Sequence, residues 1–361
     1  LGIVSREPRS RGSRFGVGAV NQPQPVGQQS HSREAIGKSI EDLDTPALLL
    51  DLDASDHNLK QMADYFAQKG SRLRPHFKNH KCTTLARRQM DAGSALGLTC
   101  AKVGEAEVLV DHGFDDILIA NQVVGVPKIQ RLVELARRAH VSVAIDDLLQ
   151  AEWISQAAAA AGVSIGLLVE VDIGMGRCGV KPGQAALELA CAVQGLAGTR
   201  FLGIQAFEGH LIYMNDRDER EPLVVEAMQR AVDTRRIIEK DGIRVDLISG
   251  SATANYDVTA AMGIDEIQAG TYATMDWRYH EVRPEFKIAM SVLATVISKR
   301  RGEAVLDVGV KGAGEIGIVA TGAALSNAVS QALSSLGVEI RELPLSPSRL
   351  VELIREGNIA S

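Results

Sequence analysis

The chain has 361 residues, of which 45% are hydrophobic, and carries a formal net charge of −6 at pH 7. A chain of this size can bury one large core or two smaller ones, and its acidic balance excludes a strong attraction to nucleic acid or to an anionic membrane surface. It contains no apolar run long enough to span a bilayer.

The cysteines predict a reducing compartment. Cys82, Cys100, Cys178 and Cys191 form no C-x-x-C pair, so they fit reduced thiols better than a disulfide framework. We therefore expect a cytoplasmic protein.

Residues 1–40 differ in composition from the rest of the chain. Arginines at positions 6, 9, 11 and 14 lie among Gly, Ser, Pro and Gln with almost no apolar periodicity, which predicts a disordered N-terminal extension. A transit peptide is the alternative, but Glu7 and the missing amphipathic pattern argue against it.

Short apolar runs alternate with amphipathic stretches from about residue 45 to 285. The runs that we interpret as strands are Ala47–Leu50, Leu73–Phe77, Gly97–Cys100, Ile117–Ala120, Val141–Ile145, Ile165–Val171, Phe201–Phe207, Leu247–Ile248 and Glu266–Ile267. The predicted helices are Asp56–Gln68, Thr84–Gln89, Val103–His112, Val126–Arg138, Leu148–Ala161, Gln184–Val193, Pro222–Lys240 and a short one near Tyr256. We expect Ser55 to cap the first helix and Gly70 to end it.

This alternation predicts an α/β fold. Strands that are apolar throughout and alternate with helices are typical of parallel strands covered on both faces. We predict that residues 41–285 close into a (β/α)8 TIM-like barrel, with a doubly wound open sheet as the alternative, because spacing alone does not prove closure. In a barrel the chemistry lies where strands end and helices begin, which is where Lys78, Arg177, His210 and Gly270 fall.

A dense basic segment follows the second apolar run, with the sequence Arg74-Pro75-His76-Phe77-Lys78-Asn79-His80-Lys81. Like charges placed close together lower one another's tendency to hold a proton. A lysine in this setting is neutral often enough to attack a carbonyl group, as Schiff-base lysines do. A solvated basic loop is the alternative interpretation.

Further segments accompany the basic one in series: 44–51 (DTPALLLD), 100–107 (CAKVGEAE), 119–122 (IANQ), 170–180 (EVDIGMGRCGV), 207–210 (FEGH), 249–253 (SGSAT) and 268–272 (QAGTY). Over about residues 43–310 the chain resembles the fold-type III pyridoxal-phosphate (PLP) enzymes. Within them it is similar to the D-threonine aldolase, D-3-hydroxyaspartate aldolase and D-serine dehydratase group. The resemblance implies a barrel of the alanine racemase N-terminal type and PLP as cofactor.

The resemblance also assigns the reactive lysine. Lys78 occupies the position of the lysine that attaches the cofactor, and Lys81 is the alternative. Asn79 stands where the family usually has threonine, a departure that should not disable the lysine.

Two further side chains are implied as catalytic and cofactor-binding. Arg177 follows a glycine-rich turn and is expected to direct positive charge at the cofactor's phenolate oxygen or at the lysine; the alternative is a loop arginine paired with Asp172. His210 is a candidate to stack on the cofactor ring or to act as an acid or base, and the alternative is a packed core histidine.

Two loops after the last strands predict a phosphate site. Small and hydroxyl residues at strand ends offer donors to a phosphate without steric obstruction, and barrels commonly bind phosphate there. The residues concerned are Gly250, Ser251, Thr253, Gly270, Thr271 and Tyr272.

Gln268 is expected to face the pyridine nitrogen of the cofactor, because the related alanine racemases carry an arginine at this place. A neutral amide does not protonate that nitrogen as a carboxylate would. We therefore expect a weaker electron sink than in aspartate-paired PLP enzymes, which suits a retro-aldol step.

The chain changes character after the barrel. Residues 286–310 alternate like antiparallel strands and are predicted to open the family's second, β-rich domain. Residues 311–361 instead resemble the C-terminal end of molybdenum-containing hydroxylase large subunits of the xanthine and aldehyde dehydrogenase type, with Glu315 at their catalytic-base position. A chimera is our hypothesis, with a divergent helix–strand–helix tail as the alternative. Nothing else resembles a molybdopterin-binding subunit, so we predict that Glu315 is not catalytic.

The family's metal site is the difficulty. In the family, a His-x-Asp or His-x-Cys pair near the C-terminus binds a divalent cation (Mn²⁺, Mg²⁺ or Zn²⁺) that activates the substrate's β-hydroxyl. His280 is the last histidine here, and no cysteine follows it. Carboxylates alone would bind Mg²⁺ or Mn²⁺ weakly, so we predict that the metal ligands are missing.

The resemblance implies a PLP-dependent lyase that cleaves D-3-hydroxy amino acids, most simply D-threonine to glycine and acetaldehyde, impaired by the loss of the metal ligands. The alternatives are a D-serine dehydratase or amino-acid racemase, and a non-catalytic PLP-binding barrel. The expected partner is a small D-amino acid, not nucleic acid or a membrane. A homodimer is implied because family members commonly close one subunit's site with the other's second domain.

Overall fold

The computed structural model describes residues 35–300 and 303–308. The predicted disordered extension lies largely before residue 35, and the predicted hydroxylase-like tail with Glu315 lies after residue 308. Those predictions concern segments outside the described residues.

Eight parallel strands form the centre of the molecule. They are β2 (Arg72–Leu73), β3 (Leu98–Cys100), β4 (Asp116–Gln122), β5 (His140–Ile145), β6 (Ile165–Val171), β7 (Thr199–Ala206), β8 (Leu247–Gly250) and β9 (Glu266–Ile267). They are hydrogen-bonded side by side in the order β2-β9-β8-β7-β6-β5-β4-β3.

The sheet closes on itself between β2 and β3, which are the two ends of that order. Single parallel bridges join Leu73 to Ala95 and His76 to Thr99. The amide of Thr99 donates to the Pro75 carbonyl at 2.8 Å. The prediction of an α/β barrel is therefore confirmed, and the open doubly wound sheet is excluded.

Helices connect the strands and pack outside them. They are α1 (Leu52–Ala67), α2 (Thr83–Asp91), α3 (Val103–Asp111), α4 (Val126–Ala136), α5 (Leu148–Ala161), α6 (Gln184–Val193), α7 (Arg217–Lys240), α8 (Tyr256–Ala261) and α9 (Trp277–Val282). The long helix α7 begins ahead of the predicted Pro222, because Asp216 accepts hydrogen bonds from the amides of Asp218 and Glu219 and caps its first turn. One-turn 3-10 helices occupy Ile40–Asp42, Phe77–Asn79, Gly209–Leu211 and Thr271–Ala273.

The first apolar run is not a barrel strand. It forms β1 (Ala47–Leu50), which pairs antiparallel with β10 (Met290–Leu293) outside the barrel. A short apolar run has the same pattern in either setting, so the sequence did not separate β1 from the eight barrel strands.

Helix α1 is capped by Asp51, whose carboxylate accepts from the Ala54 amide at 3.0 Å. The prediction of Ser55 as its cap was wrong. Ser55 is buried inside the helix and donates to the Ala273 carbonyl at 2.8 Å, which holds α1 against the turn after β9.

The barrel interior carries an ion cluster at its N-terminal end. Arg74 is 6% exposed; it donates to Glu266 at 2.7 and 2.8 Å and to Asp116 at 2.8 Å. Asp116 begins β4 and Glu266 begins β9, so the guanidinium points to the end of the barrel opposite the strand C-termini. A bidentate carboxylate partner satisfies a buried guanidinium, and Arg74 is thus part of the framework.

Residues 295–308 belong to a second compact unit. Within it β11 (Val296–Arg300) pairs antiparallel with β12 (Glu303–Leu306), and the amide of Asp307 donates to the Thr295 carbonyl at 3.1 Å. The extent of a second domain, given as 286–310 from the sequence, stays a prediction.

Across the described ranges, every helix is too short or too polar to cross a membrane.

Candidate active site

Lys78 lies at the C-terminal end of the barrel, directly after β2. The chain turns there through the 3-10 helix Phe77–Asn79, and the Nδ1 of His76 accepts a hydrogen bond from the Lys78 amide at 3.4 Å. The His76 amide donates to the Ala269 carbonyl at 3.1 Å, so the end of β9 fixes the start of this turn.

The Lys78 ammonium loses its proton readily. Its pKa is lowered from 10.5 to about 8, first by burial and then by the positive charge of Arg177, against the opposing charge of Glu105. Glu105 forms its ion pair with Lys81, at 3.5 Å. A lysine with a pKa near 8 is neutral in an appreciable fraction of molecules near neutral pH and can act as a nucleophile.

Phe207 brings the lysine and the arginine together. Lys78 Nζ lies 5.4 Å from the centroid of the Phe207 ring, and the guanidinium carbon of Arg177 lies 5.6 Å from the same centroid. The three side chains follow β2, β7 and β6, so they converge only because the barrel is closed.

A buried carboxylate holds Arg177 in place. Glu170, at the end of β6, pairs with Arg177 at 3.5 Å and accepts from Gln122 Nε2 at 2.5 Å. The side chain of Glu170 is 4% exposed whereas that of Arg177 is 45% exposed, so the free edge of the guanidinium faces the opening.

Asp172 is not the partner of Arg177, contrary to the alternative that the sequence left open. Its carboxylate accepts from the amides of Gly174 and Gly176, each at 3.0 Å. Asp172 therefore shapes the loop that carries Arg177, and Glu170 is the carboxylate that pairs with the guanidinium.

The basic segment does not act as one cluster, and that part of the sequence argument was wrong. Arg74 points into the opposite end of the barrel, and Lys81 is exposed and paired with Glu105. The positive charge that acts on Lys78 comes instead from Arg177, which lies on another strand.

The two imidazoles of the segment are neutral. Burial first, and then the charge of Lys78, keep the pKa of His76 well below its usual value. Burial lowers the pKa of His80 to about 4, and its Nε2 lies 2.9 Å from Gln89 Oε1. Neither ring therefore adds charge near Lys78.

His210 is exposed at the mouth of the barrel, so the alternative of a packed core histidine is excluded. A Cβ placed on Gly174 would lie 3.1 Å from its Cε1 and Nε2 atoms, which shows that the imidazole lies over the glycine turn before Arg177. In this position His210 is accessible to a small molecule in the opening.

The loop after β8 offers a run of unsatisfied backbone donors. Ser251, Ala252, Thr253 and Ala254 are each no more than 8% exposed. Within the described residues their amides donate to no acceptor. Buried amides are almost always paired, so a run of this kind indicates a bound anion.

The side chains of this loop are engaged elsewhere. Ser251 Oγ donates to Glu208 Oε1 at 3.0 Å and accepts from Thr259 at 2.9 Å. Thr253 Oγ1 accepts from the amide of Tyr272 at 3.1 Å and keeps its own proton to donate. The backbone amides of 251–254, rather than the Ser251 hydroxyl, are thus the donors that the geometry offers to a phosphate.

The loop after β9 contacts the lysine turn directly. A Cβ on Gly270 would lie 2.6 Å from the His76 carbonyl oxygen, so only glycine permits this approach. Asn79 Nδ2 donates to Thr274 Oγ1 at 2.6 Å. Thr271, half-buried, follows Gly270. Lys78 and the second predicted phosphate loop therefore share one rim.

Tyr272 belongs to the core. Its side chain is 1% exposed, and its amide already donates to Thr253. The structure thus gives it the role of joining the two loops, where the sequence predicted a contact with the cofactor.

Gln268 lies inside the barrel beneath the opening. Its Nε2 donates to Gln205 Oε1 at 2.7 Å and to Ser249 Oγ at 2.8 Å. Both amide hydrogens are used, so the carbonyl oxygen is the group left to face a ligand.

The described residues do not fit the family's divalent cation. Among them no group of three or more His, Cys, Asp or Glu side chains could hold a metal ion. His280, the last histidine of the chain, already uses one ring nitrogen, because its Nδ1 lies 2.9 Å from the Phe286 carbonyl oxygen.

The sequence alone assigned no role to four groups of this site, namely Phe207, Glu170, Glu208 and the amides of 251–254. Glu170 begins the quoted segment 170–180, and Phe207 and Glu208 lie in the quoted segment 207–210. A carboxylate directly after an apolar strand could have indicated Glu208 as a site residue. Whether a backbone amide is paired does not depend on which side chain it carries, so the free amides of 251–254 could be found only in the structure.

Comparison with known proteins identifies the family. The family described as "Alanine racemase, N-terminal domain" matches residues 50–276. A D-threonine aldolase from Arthrobacter sp is 40% identical over 281 residues, covering 76% of this chain and 74% of that protein. A 3-hydroxy-D-aspartate aldolase from Paracoccus denitrificans is 34% identical over 287 residues, with the same coverage of 76% and 74%.

A solved structure agrees with the fold. The crystal structure of D-threonine aldolase from Filomicrobium marinum superposes with a TM-score of 0.73 at 43% identity, covering 75% of this chain and 74% of that chain. The chain belongs to the alanine racemase N-terminal domain family, and within it to the group of the D-threonine and 3-hydroxy-D-aspartate aldolases.

Proposed function

We propose that this chain is a PLP-dependent lyase that cleaves the Cα–Cβ bond of D-3-hydroxy amino acids. The observation that carries the proposal is Lys78, half-buried with a pKa of about 8 and set beside Arg177 at the end of a barrel strand. The D-threonine aldolase and 3-hydroxy-D-aspartate aldolases that it resembles support the reaction class.

The residues present fit PLP. Lys78 would attach its aldehyde carbon, and the free amides of 251–254 with the rim at Gly270 and Thr271 would hold its phosphate. Arg177 would face its phenolate oxygen, and Gln268 would lie on the side of its pyridine nitrogen without donating a proton to it, because both amide hydrogens bond Gln205 and Ser249. When bound, the cofactor supplies an electron sink for the bond that breaks.

Proton movements fall to two side chains of this chain. Neutral Lys78 would accept at Nζ a proton from the substrate's ammonium group and return it to Cα after the Cα–Cβ bond has broken. His210, exposed over Gly174, takes the proton of the substrate's β-hydroxyl at an imidazole nitrogen. Loss of that proton lets the Cβ–O bond become a carbonyl as Cα–Cβ breaks.

The direct test is product identification with the two threonine enantiomers. We expect PLP-loaded protein to convert D-threonine to equal amounts of glycine and acetaldehyde, and L-threonine to neither. Formation of 2-oxobutanoate and ammonia from D-threonine would instead identify a dehydratase, and L-threonine as product a racemase. Bound PLP with no turnover of any D-amino acid would favour the non-catalytic barrel.

The attachment of PLP should depend on pH with a midpoint at about 8, because only the neutral form of Lys78 attacks the aldehyde and its pKa is about 8. The rate of cofactor attachment, followed by visible absorbance after mixing, should therefore rise as pH increases through this value and then level off.

Arg177→Gln should move that midpoint upward, because removing a positive neighbour raises the pKa of Lys78. Arg278→Gln, an exposed arginine on α9, is the matched control and should leave it unchanged. If the pH midpoint of PLP attachment in the unaltered protein lay near the ordinary pKa of a lysine, Lys78 would not be the lysine that attaches the cofactor.

The proposal extends to the location of the protein, its assembly and its C-terminal segments. We infer a cytoplasmic protein that pairs as a homodimer, with residues 286–310 opening a second β-rich domain. The segment 311–361 is proposed to derive from a molybdenum-hydroxylase-like sequence, and Glu315 to serve no catalytic role.

A further inference from the structure

Glu208 is a buried carboxyl group that the proposed chemistry does not use. It follows β7, two residues before His210, and is 0% exposed. Its Oε1 accepts from Ser251 Oγ at 3.0 Å and from Asn255 Nδ2 at 2.9 Å, while its Oε2 has no partner within the described residues.

These two hydrogen bonds lie at the two ends of the loop that carries the free amides of 251–254. Ser251 is the first residue of that run, and Asn255 is the residue directly after it. One carboxyl oxygen therefore fixes both ends of the loop that we assign to the phosphate.

The loop needs to be held, because its backbone is strained. Ser251 has φ +66°, in the left-handed region that residues other than glycine rarely adopt. Side-chain hydrogen bonds from Ser251 to Glu208 and from Thr259 to Ser251 offset this strain. Without them the amides of 251–254 would be free to turn away from one another.

An uncharged carboxyl group suits this place. Burial raises the pKa of Glu208, against the opposing hydrogen bonds from Asn255 and Ser251. An ionised carboxylate behind the loop would repel a phosphate dianion, whereas a protonated one accepts the two hydrogen bonds at Oε1 without that repulsion.

We propose that Glu208 is a positioning residue for the cofactor phosphate, which clamps Ser251 and Asn255 so that the amides of 251–254 converge on one anion. The proposal rests on the proposed function, since the anion is taken to be the phosphate of PLP. It predicts that loss of Glu208 weakens the binding of phosphorylated cofactor selectively.

The test compares the dissociation constants of PLP and of pyridoxal, which lacks the phosphate. Glu208→Ala should weaken PLP binding at least ~10-fold, because two buried donors lose their acceptor, and should change pyridoxal binding by less than ~2-fold. Glu208→Gln keeps a neutral oxygen acceptor and should retain the PLP-to-pyridoxal preference of the unaltered protein. Should Glu208→Ala not fold, Glu208→Asp, which withdraws the carboxyl by one methylene, is expected to show the same selective loss.

Two further variants separate positioning from general stability. Ser155→Ala removes a buried hydrogen bond to the Ala197 carbonyl (2.7 Å) on the outer layer, and should lower Tm without altering the preference for PLP. In a Ser251→Gly background the glycine adopts the left-handed backbone freely and no longer bonds Glu208. Adding Glu208→Ala to this background should therefore cost less PLP affinity than it does in the unaltered protein, because only the hydrogen bond from Asn255 remains to be lost.

Four outcomes overturn the proposal. Equal loss of PLP and pyridoxal affinity in Glu208→Ala would make Glu208 a structural residue only, and unchanged affinity for both would leave it no role. Additive losses in the double variant would show that Glu208 does not act through Ser251. Unaltered protein that binds neither compound would overturn the proposed function as well, and this result is distinct from the other three.

Discussion

Replacing Lys78 with alanine is expected to abolish the covalent attachment of PLP and to reduce lyase activity to that of the free cofactor in solution. Lys78 is the amine that burial and Arg177 bring to a pKa of about 8. Lys81, the alternative, is 59% exposed and paired with Glu105 at 3.5 Å. Since no other amine shares the setting beside Phe207 in the described part of the chain, its loss should not be compensated.

Borohydride reduction followed by peptide mapping measures this directly. In the unaltered protein the reduced cofactor should be found on Lys78, and in Lys78→Ala no lysine should carry it. Lys81→Ala is the matched control and should keep the label and most of the activity. Label on Lys81, or a Lys78→Ala protein that still attaches PLP, would show that the wrong lysine has been assigned.

The position of Lys78 could be predicted because it depends on local order in the chain. A residue directly after an apolar strand lies at the C-terminal end of a parallel barrel, whatever the details of packing. The same rule placed Arg177, His210 and Gly270 at one end of the molecule.

The charges around Lys78 could not be predicted, because they depend on which strands become neighbours. Arg74 is four residues from Lys78 in sequence but points to the other end of the barrel, where Glu266 and Asp116 hold it. Arg177 is far away in sequence and reaches the same Phe207 ring. Side-chain direction and strand register decide this, and neither can be read from one sequence.

The role of β1 was missed for a related reason. Ala47–Leu50 has the apolar pattern of a buried strand, and its partner, Met290–Leu293, lies near the other end of the described chain. A pairing between segments so far apart leaves no local signal in either of them.

Cleavage of D-threonine by this chain is expected to be slow and nearly independent of added Mn²⁺. The family resemblance implies a metal that activates the substrate's β-hydroxyl and is held by a His-x-Asp or His-x-Cys pair near the C-terminus. No histidine or cysteine follows His280 in this chain. Polarisation by a well-placed metal supplies several kcal/mol, and each 1.36 kcal/mol is a factor of about ten in rate. We therefore expect turnover at least ~100-fold below that of a D-threonine aldolase that retains the pair.

The measurement is glycine formation from D-threonine by PLP-loaded protein, with Mn²⁺ and with a chelator. We expect the two rates to agree within ~2-fold, because carboxylates without a nitrogen or sulphur partner hold Mn²⁺ weakly. A D-threonine aldolase with its metal pair, assayed in parallel, should lose most of its activity in the chelator. We propose that His210 takes the β-hydroxyl proton in this chain, so His210→Ala should remove most of the remaining turnover while PLP stays attached to Lys78. Strong stimulation by Mn²⁺ would show that the chain holds the cation through ligands outside the described residues or through carboxylates alone, and that the proton does not depend on His210.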